Sequence, residues 1–199
     1  MHDSAVVDVP HIILASRLRI AIPKVGDGQA VYEAVRESLP ALRRFPASMI
    51  WATREQSLLT AERFCREAAA AYLLRKDFSF LLWETQSETV VGCAGLHKVD
   101  WNVPKFEIGF WGRSSRRKEG LVTEAVAALV ELATTELRAN RLAAFVDDKN
   151  VEACRLCERV GLNLEGTLHN DRVDPDGVLR NIAVYSWISD RTTSGLRRP

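Results

Sequence analysis

The run Phe106-Glu107-Ile108-Gly109-Phe110-Trp111 passes through a basic segment, Arg116-Arg117-Lys118-Glu119-Gly120, straight into the start of a long helical pattern. A helix start exposes unpaired backbone N–H groups and the positive end of the helix dipole, so such a junction suits a phosphate or pyrophosphate. Arg116, Arg117 and Lys118 add positive charge, and Gly120 allows close approach to the main chain. The same residues also fit a solvated basic turn before an ordinary amphipathic helix. Cys154 and Cys157 form a C-x-x-C, but it lies inside a helical pattern with no second pair and no nearby His. Half a ligand set makes no zinc site, and metal-free chemistry is expected.

The elements that must position these residues can be read from periodicity and punctuation. Arg17 to Ile22 alternates basic and apolar residues up to Pro23, a strand pattern. Asp27 is placed to cap a helix with Val31, Ala34, Val35 and Leu39 on one face and Pro40 at its end. A second helix is expected from a Thr53/Gln56 capping box, with Leu58, Ala61, Cys65, Ala68 and Tyr72 along its apolar side. Phe78–Glu84, Val90–His97 and Phe106–Trp111 then read as three antiparallel strands. Gly120 opens a long helix, Leu142–Val146 is a short strand, and Asn150 starts a helix that Gly161 stops. Two final strands, near Leu164–Leu168 and Val178–Ile188, flank an Asp174-Pro175-Asp176-Gly177 turn. The order predicts a mixed α/β fold: one domain over residues 1–199 around a single sheet, with frayed ends near 1–10 and 191–199.

Composition narrows the function classes. With 199 residues, 47% of them hydrophobic and 27% charged, the chain is an ordinary globular protein rather than a disordered or fibrous one. Twenty-seven basic residues against 26 acidic leave a net charge of +1, which argues against nucleic acid or an anionic membrane as partner. The apolar run Ala68–Leu74 is bounded by Arg66, Glu67, Arg75 and Lys76, too short for a membrane span, and the early Asp3 does not fit a secretory signal. A cytoplasmic protein is expected, as monomer or homodimer.

Gly120-Leu121-Val122-Thr123-Glu124-Ala125, and later Asn150-x-x-Ala153 up to Gly161, resemble the acetyl-CoA signatures of the GNAT superfamily of N-acetyltransferases. Within it, Ser16-Arg17-Leu18-Arg19-Ile20, Glu107 to Trp111 and Leu164-Glu165-Gly166 resemble the RimJ/RimL-like branch, which acetylates ribosomal-protein N-termini. The resemblance spans nearly the whole chain. It implies a GNAT-like, mostly antiparallel sheet flanked by about four helices, opened where the strand Phe106–Trp111 splays from Leu142–Val146 to admit acetyl-CoA. In that picture Ile108, Gly109, Phe110 and Trp111 hold the pantetheine and thioester. Arg117 and the amides of Lys118, Glu119, Gly120, Leu121, Val122 and Thr123 hold the pyrophosphate, and Asn150 reaches the co-substrate from the next helix. An adenylate could use the same loop but leaves the Asn150 motif unexplained. The chain departs from the family at Ser115, usually Gln or Arg, and at Lys118, usually Gly, where added bulk would alter the loop while keeping its backbone donors.

Direct transfer from a thioester to an amine needs an acceptor for the amine's proton and a donor for the departing thiolate. The resemblance makes Glu107 the candidate base, acting through water, with a structural ion pair as the alternative. At the position of the family's tyrosine acid stands Cys157, which as a helical cysteine also reads as a small buried hydrophobe. Tyr185 is a further candidate acid, against a core-packing role. Such modest acid–base equipment suits an α-amine, whose pKa near about 8 leaves some of it neutral, better than a lysine near about 10.4. The expected activity is therefore acetyl transfer to a protein or peptide N-terminus. The alternatives are a small-molecule or antibiotic amine, and a non-catalytic acyl-CoA-binding module. The five tryptophans read as core and rim, and Arg43-Arg44 as a solvated helix end or a contact for an acidic substrate.

Overall fold

Alternating strand patterns on both sides of a long crossover helix assemble into one eight-stranded sheet in the order β1-β2-β3-β4-β5-β6-β8-β7. The computed structural model describes residues 7–190, so 1–6 and 191–199 of the ends expected to fray lie outside the described residues. The strands are β1 (Ile12–Leu14), β2 (Leu18–Ala21), β3 (Phe78–Glu84), β4 (Val90–Asp100), β5 (Lys105–Gly112), β6 (Arg141–Asp147), β7 (Asn163–Val173) and β8 (Leu179–Ile188). All neighbours pair antiparallel except β5 and β6. A parallel pair needs a crossover, and α3 (Leu121–Glu131), extended by a π-turn over Leu132–Glu136, supplies it.

The helices divide between the two sheet faces according to their apolar stripes. Against one face lie α1 (Gly28–Leu42) and α2 (Leu58–Leu73), packing Val31, Ala34, Val35, Ala61 and Cys65 on Leu81, Val90 and Cys93. The larger core lies on the other face. There α3 and α4 (Val151–Arg159) cover Leu96, Phe106, Ile108, Leu142 and Ala144 with Leu121, Ala125, Leu129 and Leu156. Strand β5 contributes Phe106 and Ile108 to this core because alternate side chains point to opposite faces.

Three boundaries differ from the sequence reading. Pro40 lies inside α1 rather than ending it: buried Ser38 and Leu42 continue the stripe begun by Val31 and Val35, and packing outweighs one lost backbone bond. Asp27 is the α1 N-cap residue, but its carboxylate accepts from the Lys24 N–H at 2.9 Å instead of capping. The capping box of α2 is Ser57/Thr60, whereas Thr53 closes a 3-10 turn by donating to the Ile50 carbonyl. Strand β1 had no counterpart in the reading, being only three residues long with Ile12 and Leu14 exposed.

Candidate active site

Strands β5 and β6 part company halfway along. Their register holds only at Lys105–Arg141, Phe106–Leu142 and Glu107–Ala143, although β5 continues to Gly112 and β6 to Asp147. Beyond that point each is held on its far side alone, β5 by β4 as far as Gly112 and β6 by β8 as far as Asp147. The Arg113 N–H donates to the Val91 carbonyl at 2.8 Å, which fixes the alternation and turns the main-chain groups of Phe110 and Gly112 toward the gap. Two strand edges with open hydrogen-bonding groups face each other there.

The gap leads to the loop before α3, which the neighbouring elements hold rigidly. From α1, Glu37 accepts from the Ser115 N–H at 2.8 Å and Arg113 Nε at 2.7 Å, and Ser38 Oγ accepts from the Ser114 N–H at 3.0 Å. Burial pushes the Glu37 carboxyl up, but the bonds from Ser115 and Arg113 outweigh it and the net shift is downward. Lys118 and Gly120 both take left-handed backbone conformations, with φ of 66° and 79°. Lys118 thus takes a backbone conformation that glycine enters more readily than residues with a Cβ. Beyond Gly120, the first amides of α3 have no helical acceptor of their own.

The charges of this loop are less available than their number suggests. Arg116 is held by Glu84 and Glu119, and its guanidinium keeps the Glu84 carboxyl below the usual range. Arg117 donates to Glu152 on α4 at 2.6 Å, tying the loop to the opposite wall of the gap. Lys118 makes no side-chain hydrogen bond among the described residues. On the far wall, Asn150 caps α4, its Oδ1 accepting from the Ala153 N–H at 3.3 Å. The turn before it is pinned by fully buried Asp147, which accepts from Arg180 at 2.8 and 2.9 Å and from the Lys149 N–H at 3.0 Å.

The acid–base candidates are spread over both faces. Glu107 accepts from Lys98 Nζ at 2.8 Å on the face that carries α1 and α2. Cys157 is completely buried in the α3/α4 core, and burial pushes its thiol up to about 12. Tyr185 pairs with Ala144, the residue at which β6 leaves β5, and its hydroxyl donates to Glu158 Oε1 at 3.1 Å. Burial and the neighbouring Cys154 and Glu158 push that phenol upward. Arg43 holds the chain after α1, donating to the Ala52 carbonyl at 2.9 Å, while Trp51 packs on Trp111 with ring centroids 5.9 Å apart. The sequence reading passed over His97 and Asp77, which hydrogen-bond at 2.8 Å beside Glu107; twenty residues separate them, and no local pattern announces the pair. Among the described residues no group of three or more His, Cys, Asp or Glu side chains is arranged to hold a metal ion.

A family model for the acetyltransferase (GNAT) domain matches residues 17–163, which takes in the split strands, the loop and α4. This chain belongs to the GNAT acetyltransferases. It is 29% identical over 111 residues to the uncharacterized N-acetyltransferase p20 of Bacillus licheniformis, a match covering 56% of this chain and 61% of that relative. It therefore spans less than two thirds of that relative's length. Among solved structures, a RimL ribosomal L7/L12 alpha-N-protein acetyltransferase in complex with coenzyme A superposes with a TM-score of 0.82 at 15% identity, covering 91% of this GNAT chain and 99% of its own. The microcin C7 self-immunity acetyltransferase MccE, in complex with acetyl-CoA and AMP, gives 0.80 at 18% identity, covering 92% and 99%. At such identities these two likenesses establish the fold. No helix among the described residues is long and apolar enough to cross a membrane.

Proposed function

We propose that this GNAT chain is a cytoplasmic, acetyl-CoA-dependent N-acetyltransferase whose acceptor is the α-amine of a protein or peptide N-terminus, working as a monomer or homodimer. The observation that carries the reading is the split between β5 and β6 opening onto the left-handed turns at Lys118 and Gly120. Acetyl-CoA supplies the activated acetyl group as a thioester. The chain's own residues bind and orient it: the strand Ile108–Trp111 borders the split with the main chain of Phe110 facing it, and the segment Arg117–Thr123 offers its amides to the pyrophosphate. Asn150 keeps its side-chain NH2 for the co-substrate, since only its oxygen is used in capping. The proton donor this reading offers to the departing sulfur is Tyr185, beside the point where the strands part; the Cys157 thiol, completely buried in the α3/α4 core, acts there as a small apolar group, and Glu107 lies on the face that carries α1 and α2.

The N-terminal acceptor rests on two supports: the resemblance to the RimJ/RimL-like branch, and the chain's modest acid–base equipment, which suits an amine already partly neutral near pH 7. Incubation with acetyl-CoA and a mixed panel of free-N-terminus peptides, N-blocked lysine peptides and small amines tests it by mass spectrometry. One added acetyl group on the free N-termini is the expected result. Gain confined to small amines moves the acceptor class, and acetyl-CoA binding with no gain on any amine leaves a binding module.

A further inference from the structure

His97 lies in β4 directly across from Glu107 in β5, and the next cross-strand pair along is Gly95–Gly109. Neither glycine is incidental. A Cβ at Gly95 would lie 2.8 Å from the imidazole Cε1, and one at Gly109 would lie 3.0 Å from its Cδ2. The ring therefore lies across both glycines, occupying the space their missing side chains leave. This is the face of β5 that carries Glu107, Gly109 and Trp111, and Gly109 immediately precedes Phe110, whose main chain faces the split.

The ring's orientation is fixed by a chain of hydrogen bonds. Ser79 Oγ donates to Asp77 Oδ1 at 3.0 Å, and Asp77 Oδ2 accepts from His97 Nδ1 at 2.8 Å. An ionised carboxylate only accepts, so in the neutral ring the proton sits on Nδ1 and Nε2 carries the lone pair. The imidazole is about one third exposed, and its Nε2 sits between the two glycines, 3.0 Å from a Cβ at Gly95 and 3.1 Å from one at Gly109. The other charged groups on this patch, Glu107 and Lys98, are bound to each other at 2.8 Å.

We propose that His97, oriented by Asp77 and Ser79, is the group that takes the proton from the acceptor amine; this rests on the acetyltransferase reading above. The amine nitrogen forms a bond to the acetyl carbonyl carbon as the carbon–sulfur bond breaks. The electron pair leaves with sulfur as thiolate, and the proton lost by nitrogen passes to His97 Nε2. His97 is then a catalytic residue and Asp77 a positioning one. Gly109, having no side chain, leaves the space in which the imidazole lies.

The test compares wild type with H97Q, H97A and D77N, using the panel amine that wild type acetylates best. Loss of a general base lowers kcat by about 100-fold or more, and here the acetyl-CoA dissociation constant from calorimetry should stay within about twofold. Nitrogen-15 shifts of the wild-type ring should report the Nδ1–H tautomer, and D77N should move that population. H97Q retaining kcat within about threefold of wild type, or an Nε2–H tautomer in the free protein, overturns the proposal and leaves the acetyltransferase reading standing. A fall in kcat matched by an equal fall in acetyl-CoA affinity assigns His97 to packing and also overturns it. Wild-type protein that binds acetyl-CoA and acetylates no amine overturns both readings.

Discussion

The Asp147–Arg180 pair supports the far wall of the split, and its two members should not be equally dispensable. Asp147 is fully buried, whereas a fifth of the Arg180 side chain remains exposed. In R180M the carboxylate keeps the Lys149 N–H but loses both guanidinium bonds, with no route to water. Breaking a buried pair in this way costs about 3–5 kcal/mol. In D147N the partner left behind is the arginine, which can turn outward, and the amide oxygen still accepts one bond. The expected cost is about 1–3 kcal/mol. For a chain of this size each kcal/mol moves Tm by roughly 2–4 °C, so R180M should melt on the order of 10 °C below wild type and D147N about half as far. Urea unfolding with a double-mutant cycle measures the coupling, and D147L/R180M should recover much of the loss because an apolar pair leaves no charge behind. Acetyl-CoA affinity should fall with stability in R180M, since Asp147 also closes the turn leading to Asn150. The reasoning fails if D147N costs more than R180M, or if R180M lies within about 1 kcal/mol of wild type.

Three further outcomes follow from single features of the structure. A Cβ at position 120 would find only the Arg17 guanidinium, 3.6 Å away, so G120A should pay for backbone strain alone, about 1–2 kcal/mol by urea unfolding, and K118G should relieve the matching strain. Burial pushes the Cys65, Cys93 and Cys157 thiols up to about 12 and raises Cys154, so Ellman's reagent near pH 8 should label native protein slowly and all four thiols after unfolding. The Arg141 guanidinium and Ser186 hydroxyl hold the Glu165 carboxyl down at about 2. Because the folded value lies below the unfolded one, this stabilisation is complete above the ordinary carboxyl range and is lost as pH falls from about 4.3 toward 2. Melting from pH 6 downward should show E165Q losing less Tm than wild type.

Much of the architecture was legible because it is written in local periodicity. Each strand from β3 to β8 and each of the four helices had a counterpart in the sequence, since alternation or an i, i+4 stripe reports which face is buried. The reading went astray where a local signal competed with a distant one. Pro40 looked like a stop, but Leu42 beyond it is buried and Ser38 before it bonds Ser114 far along the chain; Thr53 looked like a cap, but Ser57 had the better reciprocal bond with Thr60. The loop's charges were visible, and their neutralisation was not. Glu37, Glu84 and Glu152 reach Arg113, Arg116 and Arg117 from three separate elements. His97 was hidden for the same reason, because its significance depends on Asp77 before β3 and on a glycine in the neighbouring strand.

These failures share a geometry that explains how one strand can serve three tasks. Strand β5 sends Phe106 and Ile108 into the α3/α4 core, which fixes its position. It presents Glu107, Gly109 and Trp111 to the opposite face, the acceptor's side in the proposed reaction, and it turns the main chain of Phe110 and Gly112 into the gap beside β6. Side-chain alternation separates the first two directions, and hydrogen-bond alternation supplies the third. An apolar substitution at Gly109 would leave the core and the gap intact while displacing the imidazole above it. The strand's tolerance of mutation should therefore follow this division by direction rather than distance from the split: losses of stability at Phe106 and Ile108, losses of turnover at Gly109.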